Sequence, residues 1–239
     1  MSDALVIMPC FNEERNIRNV IASLLELEYD IDILLVNDGS TDNTLNQVQG
    51  LSIVVVSHPF NLGYGAALQT GFKYATENGY KYIIQLDSDG QHDVKYVQAI
   101  LNKLRTGSID LVIGSRFLSG AEQMHFGYTK RVAIGFFKYI IKLFGNKKLT
   151  DPTSGYKGMS RKLFSYYSRR GRFPSDFPDA DVLIQTLRSG FKLDEISVGM
   201  RDRTEGVSMH SGLKPIYYMI KVTLSILIVM LREKIIIEE

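Results

Sequence analysis

Short apolar runs alternate with longer stretches of helical periodicity through the first half of the chain. Ala4–Met8, Ile31–Val36, Ser52–Ser57, Tyr82–Leu86 and Leu111–Gly114 are rich in Val, Ile and Leu, the pattern of strands buried in a parallel sheet. Between them, Glu14–Leu27, Thr41–Gln49, Gly65–Asn78 and Val94–Thr106 predict helices. Asn12, Ser40 and Asp93 stand where N-caps are wanted, and Glu13 and Glu14 suit the positive end of a helix dipole. This β-α-β-α rhythm predicts a three-layer α/β domain. No internal repeat, low-complexity tract or Pro-rich linker marks a boundary before residue 115.

The second half has a different texture. Thr129–Phe144 predicts an apolar helix carrying Lys130, Arg131, Lys138 and Lys142, and Asp151-Pro-Thr-Ser-Gly155 predicts a turn. A helix over Asp181–Ser189 and a strand over Lys192–Val198 follow. Pro215–Leu231 is a seventeen-residue apolar segment whose only charge is Lys221, short of the roughly 20 apolar residues a spanning helix needs.

Composition narrows the function. At 239 residues, 45% hydrophobic and 23% charged, the chain can bury a core without disulfide staples. A net charge of +2 is too small for a nucleic-acid binder that works by bulk charge. The single cysteine, Cys10, excludes a disulfide framework and fits a reducing compartment as a small buried residue. The first apolar run is too short, and lacks the basic lead-in, for a signal peptide.

Open α/β sheets bind ligands at the carboxyl ends of their strands. Here those ends carry Pro9-Cys-Phe-Asn-Glu-Glu14, Asn37-Asp-Gly-Ser-Thr-Asp42 and Asp87-Ser-Asp-Gly-Gln-His-Asp93. Any one of these acidic loops is ordinary turn chemistry; three at successive strand ends point to a site. Asp87 and Asp89, one residue apart just past a strand, can both reach a hard cation that prefers oxygen ligands. Such a cation would stabilise a diphosphate leaving group. Gly63-Tyr-Gly65 opens a helix after a strand, but Leu68 stands where a dinucleotide fingerprint needs its third glycine. His58, His92, His125 and His210 form no ligand cluster by spacing; His92 belongs to the acidic motif and the others are read as structural.

The motifs Ile7-Met-Pro-Cys-Phe-Asn-Glu-Glu14, Val36-Asn-Asp-Gly-Ser-Thr-Asp42, Asn61-Leu-Gly-Tyr-Gly65 and Gln85-Leu-Asp-Ser-Asp-Gly-Gln-His92 together resemble family-2 inverting glycosyltransferases. Those enzymes have the GT-A (nucleotide-diphospho-sugar transferase) α/β fold, with a mostly parallel central sheet flanked by helices. Gly114-Ser-Arg116, Asp151-Pro-Thr-Ser-Gly155 and Arg203-Thr-Glu-Gly-Val-Ser208 are similar to the dolichyl-phosphate mannose synthase-like branch, which transfers sugar from a nucleotide onto a polyprenyl phosphate. The resemblance covers about residues 4–210.

It implies that Pro9, Phe11, Glu13, Asp38 and Asp87 hold the nucleotide, and that Asp87 and Asp89 bind Mg²⁺ or Mn²⁺. Asp89, Gln91 and Arg116 are then the catalytic set, with Gln91 by the metal or sugar and Arg116 by the diphosphate or sugar. Arg131, Arg203 and Ser208 would serve the acceptor and phosphates, arginine suiting phosphate by its bidentate fork. The family usually has lysine after the Arg-x-x-Gly-x-Ser stretch, whereas Met209 stands here, with His210 and Lys214 as substitutes nearby.

The implied reaction is a single in-line displacement. A phosphate acceptor is already largely dianionic near neutral pH, its second pKa being about 6, so no general base is required. A glycan-hydroxyl acceptor would need one, for which Asp179 or Asp181 is the candidate. A reading of another class is a non-catalytic module that binds nucleotide or lipid.

Residues 1–212 are expected to form the transferase domain, and 213–239 a helix that binds membrane interface or a partner. Phe136, Phe137, Ile140, Ile141 and Phe144 with Lys138, Lys142, Lys147 and Lys148 have the composition of an interfacial helix. The expected setting is peripheral, on the cytoplasmic face of the cell membrane. The expected partners are a nucleotide-sugar donor (UDP-linked), a polyprenyl-phosphate acceptor and the membrane surface, with a small membrane protein or a second copy as further partners and no nucleic acid.

Overall fold

A computed structural model describes residues 2–119, 128–145, 147–176, 178–200 and 214–231, with backbone alone for 128–133 and 214–220. The strands are β1 (Ala4–Cys10), β2 (Asp32–Asn37), β3 (Val54–Ser57), β4 (Tyr82–Gln85), β5 (Leu111–Ser115), β6 (Lys157–Ser160) and β7 (Leu193–Ser197). The helices are α1 (Ile17–Leu25), α2 (Thr44–Gln47), α3 (Tyr64–Glu77), α4 (Val97–Arg105), α5 (Tyr128–Gly145), α6 (Arg161–Ser168), α7 (Ala180–Arg188) and α8 (Lys214–Leu231). The seven strands form one sheet in the order β3-β2-β1-β4-β6-β5-β7. All pair in parallel except β6, which runs antiparallel between β4 and β5.

Alternate side chains of the central strands fill two cores. Leu5, Ile7, Leu34, Val36, Ile83 and Ile113 face α3, α5, α6, α7 and α8 through Phe72, Phe137, Phe164, Leu183 and Val222. Ala4, Val6, Met8, Ile33, Leu35, Ile84 and Val112 face α1 and α4 through Ile17, Ile21, Ile100 and Leu104. Burial on both faces explains why β1 and β5 read as unbroken apolar runs.

Four expectations from the sequence need correction. β3 is an edge strand with Val54 and Val55 exposed, because only β2 pairs with it. α1 begins at Ile17 rather than Glu14, and α2 is a single turn. Asn12 and Ser40 do not cap helices; they staple two loops together, as described below. Asp93 does cap: its side chain accepts from Lys95 N at 3.1 Å and opens a short 3-10 turn, Val94–Tyr96, ahead of α4. Finally, β6 and α6 escaped the hydrophobic pattern entirely. Lys157-Gly-Met-Ser160 has no apolar alternation, and Arg161–Ser168 buries only Leu163, Phe164, Tyr166 and Tyr167 among basic residues and serines.

Because β6 is antiparallel, it starts at the edge where the parallel strands end. The 151–156 turn is thereby delivered to the carboxyl edge of the sheet, beside the end of β4.

Among the described residues no helix is long and apolar enough to cross a membrane. The five apolar α5 residues expected to face lipid turn inward instead: Phe137 and Ile141 are fully buried, and Phe136, Ile140 and Phe144 pack against the same core. Among the described side chains of α5, the large apolar ones that are exposed are Tyr139 and Leu143.

Candidate active site

The loops after β1 and β2 are cross-linked. Asn12 Oδ1 accepts from Thr41 N at 2.8 Å, and Ser40 Oγ accepts from Asn12 N at 3.0 Å. Thr44 Oγ1 accepts from Glu13 N at 2.9 Å, while Glu14 Oε2 accepts from Asn43 N at 2.9 Å. Asn12 holds φ at 56°, a left-handed conformation that asparagine tolerates. The staple presents Phe11, a residue 43% exposed, next to half-buried Glu13, whose carboxylate accepts from Asn16 Nδ2 at 2.8 Å. Pro9 is buried, and its carbonyl accepts from Ser88 Oγ at 2.8 Å, which ties the end of β1 to the acidic loop.

Asp38 is buried and engaged. Its carboxylate accepts from Leu62 N and Gly63 N, both at 2.9 Å, and pairs with His58 Nδ1 at 2.7 Å; His58 Nε2 reaches Thr70 Oγ1 at 2.9 Å. Asp38 thus holds the loop that leads into α3.

That loop contains the Gly63–Gly65 turn, and packing explains its glycines. A Cβ at Gly65 would lie 2.1 Å from the Pro174 carbonyl oxygen, and one at Gly63, which has φ at 102°, 2.7 Å from that of Ser175. Ala66 N donates to Ser175 O at 3.0 Å. The turn is a seat for the 174–176 segment.

Asp87 and Asp89 follow β4, both half-buried. Asp89 Oδ1 accepts from Gln91 N at 3.0 Å, which fixes Gln91 beside it. Asp87 Oδ1 accepts from the Tyr64 hydroxyl at 2.6 Å. Burial and the facing Asp87 push the Tyr64 phenol well above its ordinary range, so it stays protonated and donates. Asp87 N donates to His92 Nδ1 at 3.0 Å, so the ring proton of neutral His92 sits on Nε2, 3.7 Å from Asp87 Oδ2. Burial lowers the pKa of His92, and the ring stacks on Tyr156 at 4.8 Å.

Arg116, at the end of β5, is gripped by Asp151. Its backbone N and Nε donate to Oδ2 at 3.1 and 2.6 Å, and Nη2 donates to Oδ1 at 2.8 Å and to Thr153 Oγ1 at 2.9 Å. Glu195 on β7 secures the turn by accepting from Thr150 N and Asp151 N. The charges that surround His92 are Asp87, Asp89, Arg116 and Asp151, so the strand-four carboxylates and the strand-five arginine share one centre.

Lys157, which no motif singles out, is buried on β6 opposite Gln85, and its Nζ donates to Pro178 O at 3.5 Å. Burial lowers its pKa against the opposing pull of Asp179, Asp87, Asp181 and Asp151. Asp181 is not placed as a general base: it is buried, accepts from Asp179 N and Val182 N, and takes a hydrogen bond from Ser225 of α8. Asp179 is half-buried at the start of α7. Cys10 is buried, and that burial pushes its thiol up to about 12. Arg203 and Ser208, with Met209 and His210, lie outside the described residues, and for Arg131 and Lys214 the backbone alone is described.

Among the described residues no three His, Cys, Asp or Glu side chains converge to cage a metal. The Asp87–Asp89 pair fits a different kind of site. A nucleotide-bound Mg²⁺-type ion takes one or two carboxylates from the protein and completes its shell with phosphate and water oxygens.

The profile of glycosyl transferase family 2 matches residues 5–167, and the chain belongs to that family. A UDP-N-acetylglucosamine–dolichyl-phosphate N-acetylglucosaminyltransferase of Methanococcus voltae is 28% identical over 217 residues, covering 83% of this chain and 86% of the relative. The polyprenol monophosphomannose synthase of Mycolicibacterium smegmatis is 25% identical, with 87% and 81% coverage. Glucosyl-3-phosphoglycerate synthase from Mycobacterium tuberculosis superposes with a TM-score of 0.68 over 95% of this chain and 79% of its own, at 20% sequence identity. The same enzyme has been solved with Mn²⁺ and UDP-glucose, a structure that matches this chain with a TM-score of 0.66 at 21% identity over 93% of this chain and 78% of its own. The fold is of the GT-A type, and the protein is a family-2 glycosyltransferase.

Proposed function

We propose that the enzyme transfers a sugar, with inversion, from a UDP-linked donor to a polyprenyl phosphate in a reaction that needs Mg²⁺ or Mn²⁺. The observation that carries the reading is the meeting of Asp87 and Asp89 with the Phe11–Glu13 loop at one edge of the sheet, through the Ser88–Pro9 hydrogen bond. Phe11 offers an exposed aromatic residue to a base, and Glu13, its backbone held by Thr44, offers acceptors to base N–H or ribose hydroxyls, with Pro9 and Asp38 assigned to the same nucleotide. Asp87 and Asp89 would hold the cation, which when bound supplies positive charge to the departing nucleoside diphosphate.

Gln91 and Arg116 then orient the sugar and diphosphate, the guanidinium plane being set by Asp151 and Thr153. Arg131, Arg203 and Ser208 are assigned to acceptor and donor phosphates. A lone pair of a phosphate oxygen forms the new bond to the anomeric carbon as the old bond breaks, its electron pair leaving on the nucleoside diphosphate oxygen, and neither event needs a proton from the protein. The burial of Asp181 agrees with an acceptor that needs no base. If a hydroxyl acceptor were used, Asp179 would be the carboxylate left for that task.

The relatives named for dolichyl- and polyprenyl-phosphate transfer support the acceptor class, and the relative named for UDP-N-acetylglucosamine supports the donor. The enzyme would work as a peripheral protein on the cytoplasmic leaflet. Residues 213–239 would supply the contact through Leu224, Leu227, Ile228 and Leu231 of α8, each more than half exposed. The test is transfer of labelled sugar from UDP-N-acetylglucosamine, UDP-glucose or GDP-mannose into the butanol phase with short polyprenyl phosphate as the sole acceptor. Transfer should vanish with EDTA and in Asp89→Asn. Label that enters butanol unchanged by chelation, or that reaches only sugar hydroxyls, would overturn the metal or the acceptor respectively.

A further inference from the structure

Tyr64 sits in the turn that resembled a dinucleotide fingerprint, and the proposed reaction leaves it without a task. Its hydroxyl is hydrogen-bonded on both sides. Gln85 Nε2 lies 2.9 Å away and Asp87 Oδ1 2.6 Å away. The direction of these bonds is forced: an ionised carboxylate only accepts, so the single phenolic proton goes to Asp87, and the Gln85 amide must donate to the phenol oxygen. Gln85 is itself fixed, as the last residue of β4, in register with Lys157 of β6.

The other oxygen of Asp87 is confined as well. A Cβ at Gly155 would lie 2.5 Å from Oδ2. Tyr64 in turn cannot drift, because the glycines on either side of it are pressed against the 174–176 carbonyls and Ala66 N is bonded to Ser175 O. A half-buried carboxylate at a strand end would otherwise rotate about two side-chain bonds, and a ligand that must meet both a cation and a diphosphate loses affinity for each orientation it can adopt.

We propose that Tyr64 is a positioning residue for the divalent cation: with Gln85 behind it, it locks the Asp87 carboxylate in the orientation that receives a metal bound to a nucleoside diphosphate. This rests on the reading of Asp87 as a metal ligand. Groups that orient a ligand from behind typically cost about 10–100-fold in metal affinity when removed.

The experiment is Mn²⁺ binding in the presence of UDP, followed by the loss of the free Mn²⁺ electron paramagnetic resonance signal. It compares the wild type, Tyr64→Phe, Gln85→Leu and Asp87→Asn, with a thermal melt of each. Asp87→Asn should abolish binding. Tyr64→Phe, which deletes one oxygen and no ring volume, should weaken it by about tenfold or more with an unchanged melt, and Gln85→Leu should weaken it by a smaller factor in the same direction. Should Tyr64→Phe fail to fold, Gln85→Leu carries the decision, and an unchanged affinity there overturns the proposal. Wild-type affinity in Tyr64→Phe alongside loss in Asp87→Asn would overturn the role of Tyr64 and leave the metal assignment standing. Wild-type affinity in Asp87→Asn would overturn both.

Discussion

Replacing Asp151 by Asn isolates the most deeply buried charge pair described. The Arg116 and Asp151 side chains are 7% and 0% exposed, and Asp151 takes three of the hydrogen bonds that Arg116 donates, at 2.6, 2.8 and 3.1 Å. Asparagine keeps the volume, so no cavity forms; it removes the negative charge and leaves a guanidinium only 7% exposed without its carboxylate. Breaking a buried pair by removing one partner costs about 3–5 kcal/mol. Relaxation offers little relief, because Glu195 still clamps Thr150 N and Asp151 N at 2.8–3.0 Å. At this chain length each kcal/mol moves Tm by about 2–4 °C, so the fall should be about 6–20 °C. Circular-dichroism melts without nucleotide or metal measure it, and the double variant Arg116→Met/Asp151→Asn should recover most of the loss, since no lone charge remains. A fall under about 3 °C for Asp151→Asn would show that the pair is solvated in solution, against the 2–4 °C expected per kcal/mol. A double variant as unstable as the single would show that packing, not charge, is what Asp151 contributes.

Two further outcomes follow from burial. Cys10 has its thiol raised by burial from 9.0 to about 12, so above pH 9 the unfolded chain ionises and the native thiol does not. Stability attributable to this group is therefore complete below pH 9.0 and is lost as pH rises toward about 12; Cys10→Ala should flatten the alkaline decline of Tm, and a parallel decline in both proteins would contradict this. On α8, the double substitution Leu227→Asp/Leu231→Asp should abolish flotation with liposomes containing anionic lipid while leaving Tm within a few degrees, because both side chains point outward. Unchanged flotation would remove α8 from the membrane contact.

The buried strands were legible because burial on both faces leaves an unbroken apolar signal. So was the acidic edge of the sheet, since the loops after β1, β2 and β4 carry the same chemistry. What could not be read was whatever depends on contact between distant segments. Asn12 and Ser40 have the composition of caps, yet their partners lie 28–29 residues away in a facing loop. That Asp151, 35 residues on, sets the guanidinium plane of Arg116 is equally invisible in the pattern. β6 is short and carries a lysine and a glycine, so its place in the sheet is set by the strands on either side rather than by its own pattern. Lys157 and Tyr64 were missed for the same reason. Each acquires its surroundings only when β6 and the 174–176 segment close over the end of β4.

The C-terminal helix is bound into this arrangement and is not a simple appendage. Lys221, the charge that interrupts its apolar run, turns toward the domain and pairs with Asp176, and Ser225 one turn later donates to Asp181. Val222, Ile226 and Val229 enter the core shared with α3, α6 and α7. Asp176 belongs to the segment against which the Gly63–Gly65 turn is seated, and that turn carries Tyr64 to Asp87. A continuous set of contacts thus joins α8 to the Asp87 carboxylate: Lys221 to Asp176, the 174–176 carbonyls to the turn, and the Tyr64 hydroxyl to Asp87. Deleting the helix would uncover apolar core and leave Asp181 buried without its hydroxyl partner, so truncation would confound membrane binding with collapse of the site. Substitutions confined to the outer stripe separate the two, because that stripe shares the helix with the anchors but none of their contacts.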